Sequence, residues 1–103
     1  MLGVGLMNAI KSSEPYLIGL GRAKENAEVK EALGEPIDAS FVVQGRINLQ
    51  NNDGAADLTF PISGPKGAGQ VHVQGTKTAG TWSYQDISVT VVNGSKKIDL
   101  SVE

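Results

Sequence analysis

Two places in this chain carry residue types that could do chemistry. The first is Gly64-Pro65-Lys66-Gly67-Ala68-Gly69, glycine-rich with one lysine, the composition of a loop that cradles phosphate on its backbone amides. That chemistry needs Ser or Thr after the lysine, at the start of a helix. Lys66 is followed instead by Gly67 and then by the alternating run Gln70-Val71-His72-Val73-Gln74, which reads as a strand. The stretch is a hairpin turn. The second place is His72, the only histidine of the 103 residues. Metal sites need three or four converging ligands, and one strand histidine in a chain without cysteine does not supply them. The acidic residues are too scattered to argue a Ser–His–Asp arrangement. Asp86 reads as a bulge or turn residue, Glu35 and Asp38 as solvated charges around a proline turn, and Lys96-Lys97 as ordinary surface. An enzyme would need the fold to gather an unforeseen cluster around His72 and Asp86. The residues predict no catalytic, cofactor-binding or metal site.

The elements that must position these residues fall into a helical third and a β-rich remainder. Ser12-Ser13-Glu14-Pro15 is a helix start, with a hydroxyl cap, an acid in the first turn and a proline where its missing N–H costs nothing. Tyr16, Leu20, Ala23 and Ala27 recur at helical spacing and form one apolar face. Gly19 and Gly21 weaken this helix by up to about 1 kcal/mol each relative to alanine, so it depends on tertiary packing. Asn26 caps a second short turn that points Val29 and Leu33 inward, and Gly34-Glu35-Pro36 stops the helix. One kinked helix or two short ones result.

After Pro36 the apolar period drops to two. Phe41, Val43, Ile47 and Leu49 share one parity, with Gln44, Arg46, Asn48 and Gln50 on the other. A turn at Gln50 to Gly54 leads to Ala56, Leu58, Phe60 and Ile62 as the buried face of the next strand, opposed by Asp57 and Thr59. Pro61 has no amide donor, so that strand is an edge or is paired only on its other side there. Val71 and Val73 point inward on the third strand, with His72, Gln74 and Thr76 outward. Ala79-Gly80 turns again, and Asn93-Gly94 signals a last hairpin carrying Ile98, Leu100 and Val102.

The fourth strand is inconsistent. Trp82 and Tyr84 have even parity, whereas Ile87, Val89 and Val91 are odd. Either a bulge near Gln85-Asp86 resets the register, or both rings stand on the outer face. Exposed paired aromatics are uncommon unless they bind something, which favours the bulge. The expected fold is therefore α+β: an N-terminal helix or helix pair packed on one face of an antiparallel meander of about five strands. The opposite face, rich in Gln, Asn, Ser and Thr, is wet or meets a partner. Trp82, Tyr84, His72 and Gln74 are the candidate partner surface.

Composition sets outer bounds. The chain has room for one domain, 13–103, preceded by an apolar segment, 1–12. A net charge of -2 gives no electrostatic basis for nucleic-acid binding. Leu2 to Ile10 is apolar, but its nine residues fall short of the roughly 20 that span a bilayer. It also lacks the basic flank and length of a secretory signal. It is a frayed or packed arm, or the trailing end of a membrane helix.

Three segments carry a family resemblance. They are Ser13-Glu14-Pro15-Tyr16 with Ala32-Leu33-Gly34-Glu35-Pro36-Ile37; the Phe60 to Gly69 turn segment; and Lys77-Thr78-Ala79-Gly80-Thr81-Trp82 with Lys97-Ile98-Asp99-Leu100. From Ser13 onward the chain resembles the cytochrome oxidase complex assembly protein family in its bacterial form. That family is related to an inner-membrane translocase subunit of mitochondria with a similar soluble domain. The resemblance implies one N-terminal membrane helix followed by a soluble α+β domain, and a role in terminal oxidase assembly for the mitochondrial members. It carries no catalytic motif, so no functional residue transfers. It implies that Leu2–Ile10 is the end of the membrane helix. The full-length protein is then membrane-associated, the present chain is soluble, and another membrane or respiratory protein is the expected partner. A small-ligand module built on Trp82, Tyr84 and the polar strand residues is the alternative of a different class.

Overall fold

The computed structural model describes residues 13–39, 42–92 and 96–100. The apolar segment Leu2–Ile10, Ser12 of the helix start, Phe41, the Asn93-Gly94 turn and Val102 lie outside the described residues. The architecture is α+β: two helices, α1 (Glu14–Glu25) and α2 (Ala27–Leu33), on one face of an antiparallel sheet. The strands are β1 (Asp38–Ala39), β2 (Gln44–Gln50), β3 (Asp53–Gly64), β4 (Gly67–Thr78), β5 (Thr81–Val91) and β6 (Lys96–Asp99). The sheet runs β1-β3-β4-β5-β6, with β2 pairing β3 on the side of β1. It has one strand more than the expected five, the two-residue β1. Among the described residues no helix is long and apolar enough to cross a membrane.

The helices form where capping and proline chemistry place them. Ser13 stands at the N-cap of α1 in extended conformation and Pro15 lies in the first turn, but the Ser13 side chain makes no cap hydrogen bond. Asn26 does: its side chain accepts from the Val29 amide at 3.1 Å, so one residue closes α1 and opens α2. Val29 and Leu33 are fully buried beneath α2. Gly34 ends it at a φ of 79°, its amide donating to the Lys30 carbonyl at 2.8 Å.

The buried face of α1 differs from the expected one. It consists of Pro15, Tyr16, Gly19 and Ala23, with Leu20 only half-buried and Ala27 exposed. Ala27 falls away because the chain bends at Asn26. Gly19 belongs to the face because α1 approaches the sheet most closely there: a β-carbon on Gly19 would lie 2.4 Å from Cγ2 of Val73. That proximity lets Tyr16 tilt against Phe60, with ring centroids 4.5 Å apart at 41°.

Beneath the helices, Ala56, Leu58, Phe60 and Ile62 of β3, Val71 and Val73 of β4, and Ile87 and Val89 of β5 are buried, each 3 % exposed or less. Ile98 and Leu100 close the core beyond β5, and the Arg22 guanidinium donates to the Leu100 carbonyl at 2.8 Å. Pro61 pairs with Gln70 in β4 and falls in register between the ends of β1 and β2, so its missing donor interrupts no described pair on that side.

The inward parity of β2 holds only at its start. Val43, just ahead of the strand, is buried, whereas Ile47 is half-buried and Leu49 is 60 % exposed. β2 runs toward the hairpin tip at Asn51-Asn52, and among the described residues neither helix packs substantially against it.

Two tight turns fix the registers. Gly64 pairs with Gly67 around Pro65-Lys66, and the Lys66 amide donates to the Leu33 carbonyl at 2.7 Å, seating the turn on the end of α2. A strand follows it, as the sequence implies. Ala79 and Gly80 both take positive φ, 51° and 83°, the requirement of a type I′ hairpin between Thr78 and Thr81.

Candidate functional site on the open sheet face

Helices cover one face of the sheet, and the other presents polar side chains in rows fixed by strand register. Thr59, His72 and Ser88 stand opposite one another on β3, β4 and β5. One row further, Gln74 lies between Asp57 and Asp86, with Arg46 of β2 opposite Asp57. Asp57 and Asp86 are thus both diagonal neighbours of His72, within reach of an aromatic or long side chain.

The imidazole uses both diagonals. Nδ1 of His72 is 2.6 Å from Oδ2 of Asp86, and Nε2 is 2.9 Å from Oδ1 of Asp57. Ser88, buried at 2 % exposure, donates its hydroxyl to the same Asp86 oxygen at 3.3 Å. Burial disfavours charge on His72, but hydrogen bonds to Asp86 and Asp57 and the charges of both carboxylates outweigh it and hold its pKa above the ordinary 6.5.

This is not a nucleophile–base pair, because the Ser88 hydroxyl meets the carboxylate rather than the imidazole. The carboxylates also sit at opposite ends of the ring, so they share no point with a histidine nitrogen. Among the described residues no group of three or more His, Cys, Asp or Glu is arranged to hold a metal ion. A shallow depression of about 290 Å³ adjoins the cluster, lined by Arg46, Asp57, Gln74 and Gln85 among others.

The four residues singled out by sequence occupy two faces. His72 and Gln74 lie on the open face. Trp82 and Tyr84 lie on the helix side, because the register shifts between Gln74 and Gly75: Gln74 pairs with Asp86, Gly75 pairs with Tyr84, and Gln85 has no partner in β4. This is the bulge that the parity break implied. Gln85 turns outward and donates to Thr76 Oγ1 at 3.3 Å and to the Ser83 carbonyl at 3.2 Å.

The Tyr84 ring crosses Gly75, where a β-carbon would lie 2.7 Å from Cδ1 of the ring. It stacks with Trp82 at 6.0 Å and 10°, and its hydroxyl donates to Glu14 of α1 at 3.0 Å. Burial, then the Glu14 hydrogen bond and charge, raise the Tyr84 phenol well above its usual range, so it remains a donor. The rings tie β5 to the first turn of α1.

Asp57 was missed by sequence reasoning, which left it as an outward polar residue. Counting back from the two hairpin turns, with one extra residue for the bulge, places both aspartates two positions from the residue opposite His72. That arithmetic was the available signal.

No curated protein matches this chain, and no solved structure matches it. The family described as cytochrome oxidase complex assembly protein 1 matches residues 1–102, nearly the whole length. The α+β fold agrees with the soluble domain implied by the resemblance noted above. On that match, the chain belongs to the cytochrome oxidase complex assembly protein 1 family.

Proposed function

We propose that this chain is a non-catalytic interaction domain, residues 13–103, which assists cytochrome oxidase assembly from a membrane to which the full-length protein is attached N-terminally. The family match over residues 1–102 carries this reading. The site geometry supports it. Both ring nitrogens of His72 face carboxylates and the Ser88 hydroxyl meets Asp86 rather than the imidazole, so the cluster aligns no nucleophile with a base. The partner is a respiratory or other membrane protein.

Sheet edges are the natural contact points for such a partner. β6 pairs with β5 only from Ser88 to Val91, so among the described residues no strand flanks Thr81–Asp86 on that side. Among the described residues β2 forms an opposite edge, paired with β3 alone. An added strand gains affinity through backbone hydrogen bonds and needs no special side chains.

Deleting the gene in its native host tests the reading. Assembled oxidase, measured as its haem absorbance and oxygen consumption with reduced cytochrome, should fall and return on complementation with the membrane-attached protein. Unchanged oxidase in the deletion strain would remove the proposal.

A further inference from the structure

One imidazole ties three strands of the open face together. Its side chain is 35 % exposed, that of Asp86 28 % and that of Asp57 59 %. A carboxylate only accepts hydrogen bonds, and a neutral imidazole has one N–H to give. In the neutral ring, one contact would set a nitrogen lone pair against a carboxylate oxygen. Both contacts are hydrogen bonds only when both nitrogens carry protons.

We propose that Asp57, His72 and Asp86 form a proton-operated clasp, in which the imidazolium locks β3, β4 and β5 across the open face and release of its proton to solvent frees Asp57.

Asp57 is the group released because the Asp86 contact is shorter, less exposed and backed by the Ser88 hydroxyl. The remaining N–H then stays on Nδ1, facing Asp86. The charge on the three groups changes from one net negative to two. On β2, Arg46 stands opposite Asp57 and is the cation placed to meet it on release. The other groups around the ring are Thr59 on β3, Gln70 and Gln74 on β4, and Ser88 on β5. On β6, Asp99 lies opposite Ser88 and Lys97 opposite Thr90. The helices lie against the other face of the sheet. The released face, with Asp57 free beside the depression, is the surface whose charge and rigidity respond to pH near neutrality.

The sign follows from linkage. The carboxylates hold the folded-state pKa of His72 above its unfolded value. The clasp therefore contributes its full stability below about pH 6.5 and loses it as pH rises through the folded value.

Because His72 is the only histidine, its ring nitrogens give a single pair of NMR signals to follow without ambiguity. At about pH 6 both should be protonated, with the titration midpoint displaced above 6.5. Asp57→Asn and Asp86→Asn should each lower that midpoint, Asp86→Asn more. Between about pH 6 and pH 9, the urea midpoint of the wild type should fall more steeply than that of His72→Gln. A ring midpoint at or below the ordinary value, or equal pH slopes for wild type and His72→Gln, would overturn the clasp.

Discussion

Two glycines of α1, one half-turn apart, should respond to alanine unequally. Alanine in a helix interior is favoured over glycine by up to about 1 kcal/mol, and that gain is common to both positions. At Gly21 nothing lies within 4 Å of the new β-carbon, so Gly21→Ala should keep the gain and stabilise by about 0.5–1 kcal/mol. At Gly19 the β-carbon would stand 2.4 Å from Val73 Cγ2, 3.4 Å from Val71 Cγ1 and 3.8 Å from Phe60 Cζ. Carbon atoms in contact prefer about 3.5–4.0 Å, so the first must open by more than an ångström. Val73 is fully buried and branched at Cβ, with little rotamer freedom to retreat. Overpacking of this kind costs about 1–3 kcal/mol. The helix gain offsets part of it, leaving Gly19→Ala neutral to about 2 kcal/mol less stable than wild type. The difference between the two variants, about 1–3 kcal/mol, is the sharper quantity because propensity cancels from it. Urea unfolding followed by the fluorescence of Trp82, the only tryptophan, measures both at equal m-value. In a Val73→Ala background the penalty at Gly19 should shrink, since the obstructing methyl is gone. Gly19→Ala as stable as Gly21→Ala, or a penalty indifferent to Val73, would refute the close approach of α1 to the sheet.

Other positions make simpler demands. Asn26→Ala removes the cap of α2 and should cost about 1 kcal/mol in the same unfolding measurement. Ala79→Gly should stabilise by up to about 1 kcal/mol and raise Tm, because Ala79 is held at a φ of 51° in the type I′ turn. Gly45→Ala would set a β-carbon 1.9 Å from the Asp57 carbonyl oxygen at a φ of 118°. Hydrogen exchange should then show the amides of β2 losing protection while those around Phe60 keep theirs. Deleting Gln85 should leave Asp86 opposite Gln74 and Ser88 opposite His72 in an unbroken ladder, so the raised titration of His72 should persist by NMR.

What the sequence made legible followed from period and turn chemistry. Ala56, Leu58, Phe60 and Ile62 alternate without interruption and are buried as expected. Asn26 and Gly34 end their helices where their side-chain chemistry predicts. The misreadings came where one element's environment depends on another. Leu49 has the right parity for burial, but burial also needs something above it, and among the described residues neither helix packs substantially on β2. Gly19 looked like a weakness of α1 when taken alone. In the fold it is the contact point, because the distance from helix to sheet is set by the smallest residue between them. The Asp57–His72–Asp86 cluster joins residues 15 and 14 positions apart, which only two turn registers and a bulge bring together.

That bulge deserves the larger share of the explanation, because it decides the character of both faces. Were Gln85 paired with Gln74 in regular register, the count from the Ala79-Gly80 turn would put Ile87 opposite His72 on the open side and Asp86 opposite Val73 in the core. Because Gln85 bulges out of the ladder instead, Ile87 pairs with Val73, Ser88 pairs with His72, and Asp86 reaches the imidazole. The same bulge puts Ile87 and Val89 on the helix side with Trp82 and Tyr84, where Tyr84 ties β5 to Glu14. Tyr84 therefore packs against the core, and the polar face gains its charged centre. The proposed clasp lies on the side with His72 and Asp57, and it forms because Gln85 bulges out of the ladder instead of pairing with Gln74.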